Sequence, residues 1–477
     1  MDNMPTRLVI NASTASKLTP LAGSRIRVRR AGSITPPSPG YRRLLRGEEA
    51  PSKPTEEGGF EVDTIQVLEQ PGPKDIKIGA MNITSVVFLL SFCNYNASVD
   101  LPTFRRVWLN NDSSPASAYT MQNYWSNCSQ GLARMTSTQQ IVIEAPEIYA
   151  WMNLAEDHAR FNLGLNISHI KQRVAILPRQ VDTFCPWAGL ASIGCGGTRC
   201  YTWINGGSAT NLPVIFHEMG HNLGLMHSNR NGSADDYGDY TCAMGSAPSC
   251  YNSVQTWKLG WTRSLLPGGS DLNSTALSVG TTLAFQLPFQ TRSFESVIRV
   301  YPDWAAPAGS SSNLAALPVP AFYISLRNRA LPFENLATSL FPSPRVLIHT
   351  SNITQNVSSF QRPTLQTLVA PGRNFSAPLP FGLVVRVLNI SNTTGASVTI
   401  CRAERAAESP NDESCFDGID NDCDGLLLPS HPKYEGLAYV ADALPDQAPD
   451  TVFPPVSGTP VPLSAVPAFS VATGLMA

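Results

Sequence analysis

The chain has 477 residues, 43% of them hydrophobic and 15% charged, with a formal net charge of −2. That length accommodates two or three domains and a large core, while the near-zero charge supplies no basic footprint for a nucleic acid. No run of about eighteen apolar residues offers a membrane span.

Residues 1–75 are polar and rich in proline and glycine, which suggests a flexible segment or the remains of a propeptide. Residues 1–47 are basic and lack the apolar run of a secretion signal; RVRR at 27–30 matches a dibasic processing site. No cysteine precedes Cys93, so any latency imposed by residues 1–75 must be steric or come from carboxylates rather than a thiolate. From residue 80 the pattern turns globular. TSVVFLLSF at 84–92, QQIVIEA at 139–145 and KQRVAILP at 171–178 read as strands, with helical patterns at 119–135 and 152–163. The alternation predicts an α+β unit over 76–262, a mixed sheet flanked by helices.

Residues 217–227 read HEMGHNLGLMH. A helix starting near Pro213, with Asn211 as candidate cap, places His217 and His221 four apart on one face. Two imidazoles there can grip one zinc ion, and Glu218 between them can act on a water. Gly224 lets the chain leave the helix and return His227 as a third ligand. Three protein ligands leave a fourth tetrahedral position open, the catalytic arrangement. Given only seven histidines, chance would produce this pattern roughly a few times in a million such chains. TCAMG at 241–245 follows, with Met244 in the place of the methionine-bearing turn that lies beneath metzincin zinc sites. Some metzincins carry a tyrosine two residues after that methionine; here the position is Ser246. DDYGDY at 235–240 reads as a solvated loop from which Tyr237 or Tyr240 could reach the site. His158, His169 and His349 read as isolated hydrogen-bonded or surface histidines.

The order CPWAGLASIGCGGTRC at 185–200, YTWINGG, HEMGHNLGLMHS and SVQTWKLGW at 253–261 resembles the gametolysin family, peptidase M11. The likeness covers roughly residues 80 to 402 and is specific around 185–261. It implies a metzincin-like zinc endopeptidase of the kind green algae secrete to cut cell-wall and matrix glycoproteins. It also implies that His217, His221 and His227 are ligands, Glu218 the catalytic base and Met244 the turn residue.

Short strands such as SVIRVY, AFYISLR, PRVLIHT and GLVVRVLNI make 263–402 β-rich, either the lower half of the protease unit or a separate sandwich. Residues 403–426 form a small acidic, cysteine-containing module. Asp420, Asp422 and Asp424 before Gly425 repeat the opening of a calcium loop, but the twelfth position is His431 rather than a bidentate glutamate. A Ca²⁺ site and a disulfide-pinned acidic knuckle are both open readings. The Pro/Ala-rich stretch 427–477 has the composition of a disordered tail.

The ten cysteines lack zinc-finger spacing, so disulfides in an oxidising compartment are the better reading, with Cys242–Cys250 and Cys415–Cys423 as plausible local bridges. Thirteen Asn-x-Ser/Thr sequons lie between Asn11 and Asn392. Random placement would give about four to five, so the excess favours an extracellular location despite the amino terminus. The expected partner is a protein substrate, probed against two rivals: an inactive matrix-binding glycoprotein that keeps the fold, and an intracellular metalloprotein. The intact Glu218 argues against the first, and the sequons and cysteines against the second.

Overall fold

The computed structural model describes residues 79–425 except 93, 146–150, 184–185, 196–198, 314, 342–343, 357–358 and 409–418, together with three strands nearer the amino terminus. The chain divides into two compact units, Met1–Asp75 with Cys195–Gly197, and the remainder. In the first, Phe60–Glu69 pairs in parallel with Leu8–Ile10 and antiparallel with Arg25–Arg30. The tail expected over 427–477 lies outside the described residues.

The second unit begins with a five-stranded sheet. Its order is Gln140–Ala145, Ser85–Leu90, Gln172–Ile176, Cys200–Ile204, Gly189–Ala191. The first four strands are parallel and Gly189–Ala191 is antiparallel at the edge. The SVVFLL run is buried at every position because both faces are covered. Val87 and Leu89 join a core with Phe104, Trp108, Trp125 and Phe216 on one side. Val86, Phe88 and Leu90 pack with Met152, Ala155 and Ala159 on the other. Each such buried side chain contributes about 1.5–3 kcal/mol relative to exposure.

The expected strands appear at their places, and the helical patterns appear shortened. Met121–Cys128 is one helix; Trp151–Asp157 runs into a π-helical stretch, His158–Asn162. Cys128 ends the first helix in a disulfide to Cys250. The helix Leu101–Trp108 was not anticipated, although Asp100 caps it by accepting from the Thr103 N–H at 2.8 Å. Asn211 does stand at the N-cap of Leu212–Asn222, but its side chain makes no cap hydrogen bond. That helix is buried from end to end, so its start is fixed by packing rather than by the cap.

Downstream, a six-stranded sheet faces a four-stranded antiparallel one. Leu287, Ile298, Ile324, Ile348, Val385, Val398 and Ile400 fill the space between them as a sandwich core. The six-stranded sheet crosses the boundary expected at residue 262. Its two edges are Asn229–Arg230, just after His227, and Arg263–Ser264.

Both local disulfide pairings expected from the sequence are wrong. Cys250 pairs with Cys128, with Cα atoms 5.1 Å apart, and Cys423 pairs with Cys401. Cys242 is a buried free thiol that donates to Gln255 Oε1 at 3.0 Å and accepts from the Asn252 N–H at 3.2 Å. Sequence proximity lowers only the loop-closure cost. The fold decides which Cα atoms come within bridging range, and it brings in Cys128 from 122 residues away.

Candidate active site

The helix Leu212–Asn222 carries the site and is held from behind by its own aromatic residue. The Phe216 ring stacks on Tyr251 at 4.3 Å and meets Tyr124 at 4.4 Å and Trp125 at 4.7 Å. Tyr251 also donates its hydroxyl to the Phe216 carbonyl at 2.8 Å. Each aromatic pair adds about 0.5–1.5 kcal/mol beyond area burial, so the helix has little freedom to roll.

His217 and His221 lie one turn apart on this helix. The turn after it runs through Gly224 at φ 79°, where only glycine is unstrained. This turn does two things. It brings His227 back until its Nε2 is 3.1 Å from His221 Nε2. It also presents the Leu225 carbonyl to His221 Nδ1 at 2.8 Å. The Ala243 carbonyl does the same for His217 Nδ1 at 2.7 Å. A carbonyl can only accept, so Nδ1 carries the proton in both rings and Nε2 presents its lone pair. One ring nitrogen from each of the three histidines lies within 4.8 Å of the others. Two ligands about 2.0–2.1 Å from a tetrahedral zinc stand about 3.3 Å apart, so the residues fit such an ion.

Burial sets the protonation states. Desolvation holds His217 down at about 3, His221 at about 4 and His227 at about 2, with neighbouring imidazoles adding repulsion at His217 and His227. All three are therefore neutral at pH 7, the state a metal ligand needs. Desolvation raises Glu218 to about 8 in the metal-free chain. Glu218 lies over the edge strand at Gly189. A Cβ there would stand 2.5 Å from Glu218 Cγ and 2.8 Å from Oε1, so only glycine leaves the carboxylate its place. Beyond Gly189–Ala191 no further strand pairs in this sheet among the described residues.

Met244 is fully buried beneath the helix. A Cβ on Gly220 would come within 2.7 Å of the Met244 sulfur, so Gly220 allows the methionine turn to approach between His217 and His221. Ser246 is exposed, and its N–H donates to the Asp239 carbonyl at 3.0 Å. The tyrosine near the histidines is Tyr237, its ring 4.2 Å from that of His227 and 5.8 Å from His217. Burial first, then the Glu218 charge, pushes its phenol well above the usual range. The 235–240 stretch is thus not simply a solvated loop, since Tyr237 and Asp239 are buried.

Asp239 is a buried carboxylate beside the site that sequence reasoning missed. It is fully buried and accepts from Ser228 Oγ at 2.7 Å, from the Thr241 N–H and hydroxyl at 2.9 and 2.6 Å, and from Asn252 Nδ2 at 3.2 Å. His349 Nε2, on a sandwich strand, lies 3.1 Å from the same carboxylate. Burial alone would raise Asp239; His349 and the hydroxyl donors overcome this and hold it far below the usual carboxylate range. His349 is therefore not isolated but joins the sandwich to the residue after His227. Arg327, paired with buried Glu334, donates to the Thr241 carbonyl and props the same turn. Lys258 Nζ donates at 2.6 Å to both the Gly224 and Ser359 carbonyls, closing the turn from behind.

His158 is half-buried and His169 exposed, both away from this cluster. Of the acidic triplet, Asp420 and Asp422 come together, but their third partner is Glu408 rather than the exposed Asp424.

The family model described as Gametolysin peptidase M11 matches residues 82–370, more than half of the chain. The chain belongs to the gametolysin M11 peptidase family. The Autolysin of Chlamydomonas reinhardtii is 29% identical to this M11 chain over 330 residues, covering 61% of this chain and 50% of the Autolysin. This chain thus spans about half the length of that relative. Flagellar radial spoke protein 1 of Chlamydomonas reinhardtii is 66% identical over 56 residues, 12% of this chain and 7% of that one. So short a match carries no functional argument.

Proposed function

We propose that this chain is a metzincin-type, zinc-dependent endopeptidase that works outside the cell on cell-wall or extracellular-matrix glycoproteins. The observation that carries the reading is the convergence of three neutral imidazoles beside a buried glutamate, in a chain of a peptidase family. His217, His221 and His227 would hold the metal. When bound, zinc polarises a carbonyl and acidifies water.

Glu218 has the remaining task. It takes a proton from the attacking water and delivers it to the leaving amine. Burial raises its proton affinity in the metal-free chain, and the charge of a bound cation would lower it again, leaving a carboxylate able to accept the proton and return it. Among the described residues no strand pairs with the outer edge of Gly189–Ala191, beside Glu218, so an extended substrate would add there as a strand. That mode reads backbone more than side chain, which suits a proteolytic enzyme with many cleavage sites. Tyr237, next to His227, is the hydroxyl placed to stabilise charge developing on the carbonyl oxygen.

The test is digestion of purified matrix glycoprotein by the intact chain, before and after zinc chelation, with the new amino termini sequenced. Cleavage that stops on chelation and returns with zinc is the expected result. A chain that binds the glycoprotein but never cuts it would favour the inactive matrix-binding reading instead.

A further inference from the structure

Below the sandwich the described chain ends in a second cluster of hard ligands, separate from the three histidines. One carboxylate oxygen each of Glu408, Asp420 and Asp422 lies within 4.8 Å of the other two. Such proximity alone is common on protein surfaces. Here Asp420 differs, because it is only 7% exposed and its Oδ1 is buried with no hydrogen-bond partner. Its Oδ2 accepts from the Gly425 N–H at 3.0 Å. Among the described residues, no lysine or arginine forms an ion pair with any of the three carboxylates. Buried carboxylates in folded proteins are paired or coordinate a metal, so a partner is missing from this account of Asp420.

The surroundings hold the three groups in place without satisfying them. The Asn421 N–H donates to Glu408 Oε1 at 2.8 Å, and the Glu408 and Asp424 N–H groups donate to Asp422 at 3.2 and 3.1 Å. The Cys401–Cys423 disulfide ties the turn to the sandwich strand Gly395–Arg402, and Arg386 donates to the Cys423 carbonyl. On the other side, Gly280 lies so close that a Cβ would meet Ile419 at 2.4 Å and the Asp420 backbone N at 2.9 Å.

We propose that Glu408, Asp420 and Asp422 bind one calcium ion, which fastens residues 404–408 and 419–425 to the sandwich. All donors are carboxylate oxygens, which excludes the softer metals as the preferred occupant. Calcium takes six to eight oxygen ligands in flexible geometry, whereas magnesium demands strict octahedral geometry and gives up its waters reluctantly, so carboxylates gathered from one turn and the segment before it suit calcium better. The EF-hand register in the sequence, Asp420, Asp422 and Asp424, is replaced by one in which Glu408 closes the site from before the turn. This ion would be structural and independent of the peptidase chemistry.

The intact, zinc-loaded chain should be freed of calcium by dialysis against a calcium-selective chelator, then titrated calorimetrically with Ca²⁺ and separately with Mg²⁺. The proposal expects calcium binding that Asp420→Asn and Glu408→Gln each weaken by about tenfold or more, while Asp424→Asn changes it by less than about threefold. Calcium should also slow trypsin cleavage at the exposed Arg405 in the wild type and not in Asp420→Asn. Retention of the Cys401–Cys423 disulfide and of zinc shows that each variant has folded; Glu408→Gln decides the matter if Asp420→Asn does not. Unchanged calcium affinity in a folded Asp420→Asn or Glu408→Gln chain would overturn the proposal, as would no calcium binding by the wild type at millimolar concentrations. Equal loss in Asp424→Asn would overturn the assignment of Glu408 and restore the sequence register.

Discussion

The ligand strip from His217 to His227 is built from neighbours in sequence, whereas the bed under it is built from residues far away. Within the strip, one helical turn spaces His217 and His221, and one glycine turn supplies both His227 and the carbonyl that orients His221. In the bed, Asp239 reaches His349 across 110 residues, and Arg327 reaches Thr241 across 86. The difference separates two duties. The strip supplies the imidazoles and one of their orienting carbonyls; the bed holds the segments on either side of them. The identity of the three histidines is written locally, and the sandwich braces the Ser228–Thr241 segment beside them through Asp239 and Thr241.

The comparison breaks most sharply at the strip. His221→Ala should take bound zinc from about one per chain to near zero and abolish hydrolysis, because two imidazoles cannot retain the ion tightly. Metal analysis on the purified variant is the check, and unchanged stoichiometry would contradict the ligand set.

Removing the bed should do less to the metal and more to the fold. Asp239→Ala strips four donors and His349 of a shared buried acceptor, which costs about 3–5 kcal/mol of stability. Metal affinity should fall by less than the roughly 10–100-fold that follows loss of a group bonded to a ligand itself, because Asp239 bonds Ser228 beside His227 rather than an imidazole. If denaturant unfolding shows loss below about 1 kcal/mol, the bed is not what holds the strip.

Tyr237→Phe sharpens the division inside the site itself. It keeps the ring against His227 and removes only the hydroxyl. Hydrolysis should slow by about 10–100-fold in kcat with zinc content and KM nearly unchanged. A normal kcat would leave Tyr237 as packing alone.

The smallest effect concerns pH in the metal-free chain. In the folded state His217, His221 and His227 bind protons only near 3, 4 and 2, against about 6.5 when unfolded. Below about 6.5 the unfolded chain therefore takes up as many as three protons that the folded chain refuses. Glu218 works in the opposite sense, since its folded value is about 8 and its unfolded value 4.5. Three protons against one leave a net loss of stability as pH falls from about 6.5 to 5. Between about 6.5 and 8 only Glu218 differs, so stability should also decline as pH rises through that window. Thermal unfolding in chelator across pH 5 to 8 should show a maximum near neutrality; a melting temperature that rises steadily toward pH 5 would contradict the buried, neutral histidines.

Much of the α+β arrangement was legible because the strands are continuous apolar runs with both faces covered, as in SVVFLL and AFYISLR. The weaker strands Thr282–Leu287 and Thr364–Val369 were missed because their side chains are only partly buried and form no continuous apolar run, although Thr282–Leu287 alternates exposed and half-buried positions. The convergence of His217, His221 and His227 was legible because a helix and one glycine suffice to bring them together. Asp239 was not, because an aspartate in DDYGDY looks like a loop residue until a strand more than a hundred positions later brings His349 to it. The disulfides failed for the same reason: Cys242 and Cys250 are close in sequence, yet packing assigns Cys250 to Cys128. Tyr237 stood in between, its reach foreseen but its burial against His227 not.

The central claim is that Glu218 moves the proton while the histidines alone hold the metal. The most direct measurement compares wild type and Glu218→Ala for zinc content and peptide hydrolysis on the same preparations. The account predicts equal zinc and a fall in kcat of about 10³-fold or more, within the range set by loss of a general base. Near-normal turnover with zinc retained would contradict it, because another group would then have to activate the water.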